Sequence, residues 1–234
     1  MHLSLCFYIF NIVVINQNLL TDSRKMTTKV KEMPVVSKMF CSSNQVVLVV
    51  RSRPHVVGGG GFVVTDLGSH EVVFRVDGCG VLGKKDQMTL TDAYQNPLLL
   101  IRLKAGIVEA LSLHRQWGSY TPAYVGSHQK LLFTLKDPKG CLANNRPIRV
   151  SIEQKDQSIY CKNFQVKGYF PDRECSIVDS GGNDIAQVTV GKEMKDVMEK
   201  KDVYHVVVNA GIDQAFVVGV IAILDYIHNG STRC

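Results

Sequence analysis

The sequence lacks the short motifs that mark most enzymes and metal sites. None of its seven cysteines stands in a C-x-x-C pair, and there is no H-E-x-x-H run. It also has no G-x-x-x-x-G-K-[ST] phosphate loop and no G-x-S-x-G nucleophile elbow. Because no catalytic or metal-ligating set can be assembled, we expect a protein that is not an enzyme and holds no metal or cofactor.

The cysteines argue for a reducing compartment. Their number is odd and their positions are scattered along the chain, which does not favour a disulfide framework. We therefore expect a cytoplasmic protein, with membrane association or a nuclear location as the alternatives. Separately, we expect a monomer.

The first 25 residues look unlike the rest of the chain. They are apolar enough to resemble a targeting segment, but they lack a basic start and a small-residue cleavage site. Met26 opens an ordinary soluble sequence, so an upstream start codon in the gene model explains them equally well. A weak membrane-associating or organelle-targeting role is the alternative. We expect residues 1–40 to be a poorly ordered extension or a gene-model artefact, and residues 41–234 to form the folded domain.

Positive charge is modest overall and concentrated in one segment. The net charge is +6, and residues 99–151 hold eight basic but only two acidic residues. A sequence-independent nucleic-acid binder usually has a stronger excess, and we expect no sequence-specific nucleic-acid binding either. The basic residues chosen as a candidate lipid-binding patch are Arg102, Lys104, Arg115 and Lys130. The alternative is that these side chains are scattered over a solvated surface.

From about residue 45 onward the chain reads as short β-strands separated by turn residues. The predicted strands are Val46–Arg53, Phe62–Thr65, Val72–Val76, Leu98–Leu103, Leu131–Leu135, Ile148–Ile152, Ile159–Phe164, Val166–Phe170, Cys175–Val178, Ile185–Val190 and Val203–Val208. Three segments share the order strand, Asp, turn, strand, with Asp66, Asp92 and Asp179 at matching positions. Each carboxylate can accept backbone N–H groups ahead of it, which predicts three hairpin turns.

One helix is predicted near the C-terminus. Asp213 is a suitable N-cap, and Asn229-Gly230 is a stop signal. Between Ala215 and Leu224 only Gly219 is not a large or aliphatic hydrophobe, so the helix has no polar face. It is too short to span a bilayer. A buried helix together with about a dozen strands predicts a mainly β protein, in which a closed antiparallel barrel encloses the helix.

The sequence resembles the plant LURP-one-related proteins from about residue 40 to residue 228. Its strongest markers are F-R-V-D in the first hairpin, L-H-R-Q-W and the apolar helix. The matching stretches are Gly61–Gly78, LTDAYQNPLLLIRLK, Leu111–Tyr120, Lys130–Asp137, Phe164–Gly182 and Asp202–Asp225. The chain departs from the family pattern in its N-terminal extension and in the Gly58–Gly61 run.

The resemblance implies a fold similar to the tubby C-terminal domain and to phospholipid scramblases, a twelve-stranded barrel around a central hydrophobic helix. It also suggests a binding module in plant defence-related signalling that engages phosphoinositides or another anionic head group. The residues leave two alternatives open. One is an interaction scaffold for an unidentified protein partner, without a lipid ligand; the other is lipid scrambling, which normally needs a membrane anchor. For Trp117 we expect a core position with the indole N–H on a carbonyl.

Overall fold

The computed structural model describes residues 30–56, 59–78, 86–104, 114–123, 128–138, 147–153, 163–190, 202–228 and 230–232. Within these residues, twelve antiparallel strands form one closed barrel, in which each strand pairs with the next and β12 pairs with β1. The strands are β1 Val46–Val56, β2 Gly59–Asp66, β3 Val72–Asp77, β4 Gln87–Asp92, β5 Pro97–Leu103, β6 His114–Tyr120, β7 Leu131–Pro138, β8 Ile148–Ile152, β9 Asn163–Tyr169, β10 Glu174–Asp179, β11 Asp184–Thr189 and β12 Val203–Val208. The helix α1 spans Gln214–Ile227, and short 3-10 turns cover Lys38–Phe40 and Phe170–Asp172.

Period-two alternation of side chains decides which face of each strand enters the barrel. In β5, Leu99 and Ile101 are fully buried. Leu100, which lies between them, and Arg102, which follows them, are only half-buried. Successive side chains of a strand point to opposite faces, so the first pair lines the interior and the second pair lies outside. Each described strand contributes to one continuous apolar core in this way.

The helix α1 fills the barrel. Every residue from Ala215 to Tyr226 is buried. The Phe216 ring lies 5.0 Å from that of Phe133 and 5.5 Å from that of Phe164. Each large apolar side chain buried in this way contributes roughly 1.5–3 kcal/mol, so the helix and the barrel wall stabilise each other. The predicted mainly β fold with a central apolar helix is confirmed.

A glycine allows α1 to lie close to the barrel wall. A Cβ atom at Gly219 would stand only 2.9 Å from the Leu99 Cδ1 atom and 3.1 Å from the Phe133 ring. Gly219, the one residue that interrupted the apolar run, therefore lets α1 approach strands β5 and β7 closely.

The structure corrects two strand predictions. The break predicted between Phe164 and Val166 is wrong, because β9 runs without interruption from Asn163 to Tyr169, while residues 159–162 of the predicted strand Ile159–Phe164 lie outside the described residues. Gln165 is simply an outward position, with buried residues on both sides. The strand β6 was not predicted, because its first half, His-Arg-Gln, carries no hydrophobic signal.

Residues 33–41 contact the barrel domain. Met33 forms a parallel bridge with Ile212, and Cys41 forms an antiparallel bridge with Asp213. The division predicted at residue 40 stays a prediction, since residues 1–29 lie outside the described part of the chain. The contacts nevertheless join residues 33–41 to the domain, whose compact unit begins at Glu32. In the described part of the chain, no helix combines the length and the apolar character needed to cross a membrane.

Candidate functional site

Arg102 is held in a fixed position on the outside of β5. Its guanidinium lies 4.6 Å from the centre of the Tyr120 ring, and its Nη2 donates to the Gln129 Oε1 atom at 2.5 Å. Its Cα partner on β6 is Gly118, where an added Cβ would stand 2.7 Å from atoms of the Tyr120 ring. The missing side chain at Gly118 therefore makes room for the aromatic ring that supports Arg102.

Lys104 follows Arg102 at the end of β5, whereas Lys130 only adjoins the Arg102 partner Gln129 in sequence. The backbone N–H of Lys104 donates to the Gln116 carbonyl at 2.8 Å, which continues the β5–β6 ladder beyond the end of β5. Lys104 is therefore on the same outward side as Arg102, as the i, i+2 spacing predicts. Lys130 is exposed and directly follows Gln129, the residue that accepts the Arg102 hydrogen bond. Arg102 and Lys104 thus share the outward side of β5, and Lys130 is connected to them only through its chain neighbour Gln129.

Arg115 does not join them. It lies on the same side of β6 as Trp117, which faces the barrel interior, and on the opposite side from Gly118. Its Nε and Nη2 atoms donate to the Asp137 Oδ2 atom at 2.9 and 2.6 Å. Asp137 therefore neutralises the charge of Arg115 at the end of the barrel. The lipid-binding role of the four residues stays a prediction.

Two further cations, which the prediction did not select, continue the pattern begun by Lys104. Lys136 on β7 and Arg149 on β8 are Cα partners, and Lys136 is also the Cα partner of Gln116 on β6. The row that crosses strands β5 to β8 is therefore Lys104, Gln116, Lys136 and Arg149. Both new cations are exposed, and the described residues give neither side chain an ion pair or hydrogen bond.

We name the outward side of strands β5 to β9 the basic face. Its cations are Arg102, Lys104, Lys136, Arg149 and Lys167. Glu153 continues this side beyond the end of β8, because its backbone N–H donates to the Leu132 carbonyl at 2.8 Å, and it is the one Asp or Glu among the described outward positions. The arrangement can attract anions, because its five cations are opposed by a single described carboxylate.

A separate group of charges lies buried where α1 ends. The Arg173 guanidinium stands over the rings of Phe170, at 4.5 Å, and Tyr204, at 4.1 Å, and its Nη2 is 4.0 Å from the Asp225 Oδ1 atom. His228 stacks on Phe170, with ring centres 5.9 Å apart. Burial lowers the pKa of His228. Both members of the Arg173–Asp225 pair are buried, so this group closes the barrel end.

Trp117 is buried as expected, but its predicted hydrogen bond is wrong. The indole Nε1 has no hydrogen-bond partner among the described residues, and the ring packs edge-on against Tyr226 with centres 4.7 Å apart. The side chain is held by packing.

In the described ranges, no group of three or more His, Cys, Asp or Glu side chains is placed to hold a metal ion.

Comparison with known proteins gives consistent matches over most of the chain. The family model described as LURP-one-related matches residues 46–225. The chain is 53% identical to Protein LURP-one-related 6 of Arabidopsis thaliana over 201 residues, which cover 86% of this chain and 98% of that protein. It is 48% identical to Protein LURP-one-related 16 of the same plant, over 86% of this chain and 95% of that protein.

A solved structure shares the fold. The X-ray structure of an Arabidopsis thaliana protein superposes with a TM-score of 0.57 at 24% sequence identity, over 83% of this chain and 98% of that chain. At that identity the likeness concerns the fold. The family match and the two relatives from Arabidopsis thaliana show the family membership: this chain belongs to the LURP-one-related family.

Proposed function

We propose that this protein is a non-enzymatic binding module that attaches reversibly to anionic membrane surfaces, including those that carry phosphoinositides, through the basic face. The observation that supports the proposal is the set of five outward cations on strands β5, β7, β8 and β9, opposed on that side by one described carboxylate, Glu153. The proposal places the protein in the cytoplasm at membranes, with a nuclear location as the alternative. A role in plant defence-related signalling is part of the same proposal.

The expected attraction is weak. A basic residue close to an anionic leaflet contributes about 1 kcal/mol, so the five cations of the basic face contribute about 5 kcal/mol together. Salt screens this attraction within a Debye length of about 8 Å at physiological ionic strength. Arg102 loses little freedom on binding, because Tyr120 and Gln129 already hold it. Recruitment should therefore be reversible and sensitive to salt.

Sedimentation with vesicles tests the proposal. The full chain is mixed with phosphatidylcholine vesicles that contain phosphatidylserine or phosphatidylinositol 4,5-bisphosphate, at low and physiological salt. Lys104→Glu changes the local charge by two units and should weaken binding about 30-fold. Arg51→Glu is the matched control, since Arg51 is exposed on β1, away from the basic face. The proposal fails if the parent never sediments, or if both variants lose binding equally.

Exposed apolar side chains favour a second candidate function, a scaffold for a protein partner. Met39, in the first 3-10 turn, is 88% exposed, and Tyr94, in the β4–β5 turn, is 87% exposed. Such side chains are enriched in protein interfaces. If vesicles do not bind the parent and a protein partner requires Met39 and Tyr94, the scaffold is the better account. Lipid scrambling has less support, because α1 is buried inside the barrel.

A further inference from the structure

Lys136 and Arg149 are two cations placed directly opposite each other. As Cα partners on neighbouring antiparallel strands, they have Cβ atoms roughly 4.5–5.5 Å apart. Like charges at such a pair repel and destabilise the sheet. No carboxylate among the described residues relieves the repulsion, since both side chains are exposed and lack ion pairs. An anion placed between them would satisfy both.

The charge and geometry of the pair suit a phosphomonoester better than a phosphodiester. A phosphomonoester carries about −1.5 to −2 charges at neutral pH and three strong acceptor oxygens. A guanidinium can bind two of those oxygens with its planar fork, and an ammonium can approach the third as a point charge. A phosphodiester has a single charge and offers less to two adjacent cations.

We propose that Lys136 and Arg149 together bind the phosphomonoester group of a membrane lipid head group. This inference rests on the proposed function, because it assigns one specific contact within the basic face. A lipid is favoured over a free phosphate ester because the pair lies on the outer surface of the sheet, where solvent weakens each contact. At a membrane, the neighbouring cations Arg102, Lys104 and Lys167 meet further anionic lipids and add their attraction.

Two vesicle types of equal surface charge test the assignment. One contains phosphatidylserine and the other contains enough phosphatidic acid, a phosphomonoester lipid, to give the same surface potential. The parent should bind the phosphatidic acid vesicles at least about tenfold more tightly, a modest preference because solvent weakens charge-assisted contacts at an exposed site. In Lys136→Glu and in Arg149→Glu this preference should disappear. Lys104→Glu is the matched control, and it should weaken binding to both vesicle types by the same factor.

The thermal midpoints of the variants distinguish loss of the binding site from loss of the fold. In Lys136→Glu the new carboxylate lies opposite Arg149, which replaces repulsion by attraction across the two strands. The thermal midpoint of this variant should therefore equal or exceed that of the parent. Loss of the phosphatidic acid preference in a variant that is at least as stable supports the proposal. A lowered midpoint contradicts the assumed side-chain pairing and overturns it.

The remaining outcomes separate the two proposals. If the parent binds both vesicle types equally, the phosphomonoester site is overturned while the anionic-surface function stands. If the parent binds neither type, both fail. If free glycerol 3-phosphate binds the parent as tightly as phosphatidic acid vesicles do, the membrane adds no attraction, the ligand is a soluble phosphate ester and the lipid assignment is overturned.

Discussion

Asp213 and Asp225, near the two ends of α1, each bind a chain segment that lies outside the family model's residues 46–225. The Oδ2 atom of Asp213 accepts the backbone N–H groups of residues 35–37 at 2.9, 2.7 and 3.0 Å. The Oδ2 atom of Asp225 accepts the Thr232 N–H at 2.9 Å and the Ser231 hydroxyl at 3.2 Å. Two buried carboxylates thus fasten both flanking segments to the central helix.

Removing the Asp213 carboxylate should strongly destabilise the protein. Its Oδ1 atom also accepts the N–H groups of Ala215 and Phe216, so five donors depend on one side chain. Loss of a helix N-cap costs about 1 kcal/mol, and each further unpaired donor adds about as much. We expect Asp213→Ala to lower the free energy of unfolding by about 3–5 kcal/mol, measured by urea denaturation.

A matched control exists in an exposed turn. The Asp66 Oδ1 atom accepts the N–H groups of Gly68 and Ser69, both at 2.8 Å, where water can replace it. Asp66→Ala should therefore cost only about 1 kcal/mol. Equal losses for the two substitutions would show that Asp213 does not fasten residues 35–37.

The N-terminal boundary of the fold can be found by truncation. A chain that starts at Met26 keeps residues 33–41 and should have the same thermal midpoint as the full chain. A chain that starts at Ser42 loses three of the five donors to Asp213 and should melt about 10 °C lower, since each kcal/mol shifts the midpoint of a domain this size by roughly 2–4 °C. Equal midpoints for the two truncated chains would contradict the role of residues 33–41.

A charge in the middle of α1 should unfold the domain. Ile221 is completely buried, so Ile221→Asp places an unpaired carboxylate in the apolar core at a cost of more than about 4 kcal/mol. Ile227, at the end of α1, is only half-buried. Ile227→Asp should keep a native circular dichroism spectrum at room temperature, whereas Ile221→Asp should lose it. A native spectrum for Ile221→Asp would mean that the helix is not central.

The stability of the fold should depend on pH through His228. Burial, assisted by Arg173 and Arg115, lowers the pKa of His228, while Asp137 and Asp225 act in the opposite direction. The unfolded chain therefore binds a proton at this position before the folded chain does as the pH falls below the ordinary value of 6.5. The stability that this group contributes is present above that value and is lost on acidification.

The variant His228→Phe isolates this effect. It keeps a ring stacked on Phe170 but has no group that titrates. Between about pH 7 and about pH 5, the free energy of unfolding should fall more for the parent than for the variant. Identical slopes for the two proteins would show that the pKa of His228 does not change on folding.

The fold could be predicted because its signals are local. The run from Ala215 to Leu224 has no polar face, which favours a helix that is buried on all sides. The hairpin turns were predictable for the same reason, and the hydrogen bonds of Asp66, Asp92 and Asp179 to backbone N–H groups ahead of them confirm the prediction. The strand β6 was not predicted, because Arg115 breaks the apolar pattern on its inward side. Pairing with Asp137 allows a charged residue at that position.

The candidate site was only partly predictable. Arg102 and Lys104 share a face because they are two residues apart on one strand, a rule that needs no tertiary information. Arg115 lies on the opposite side of the sheet from Arg102. It is three residues from Gly118, the Cα partner of Arg102, and side chains alternate along the strand. Lys136 and Arg149 are far enough apart in sequence that only the register between β7 and β8 makes them neighbours.

The sequence by itself determined the strands with alternating patterns, the Asp-closed turns and the enclosed apolar helix, because each depends on residues a few positions apart. Only the tertiary structure decided which charges meet. A shift of one residue in register would turn Lys136 away from Arg149, since the side chains of a strand alternate between its two faces. The anchoring of residues 35–37 by Asp213 likewise joins positions far apart in the chain, and no local pattern records such a contact.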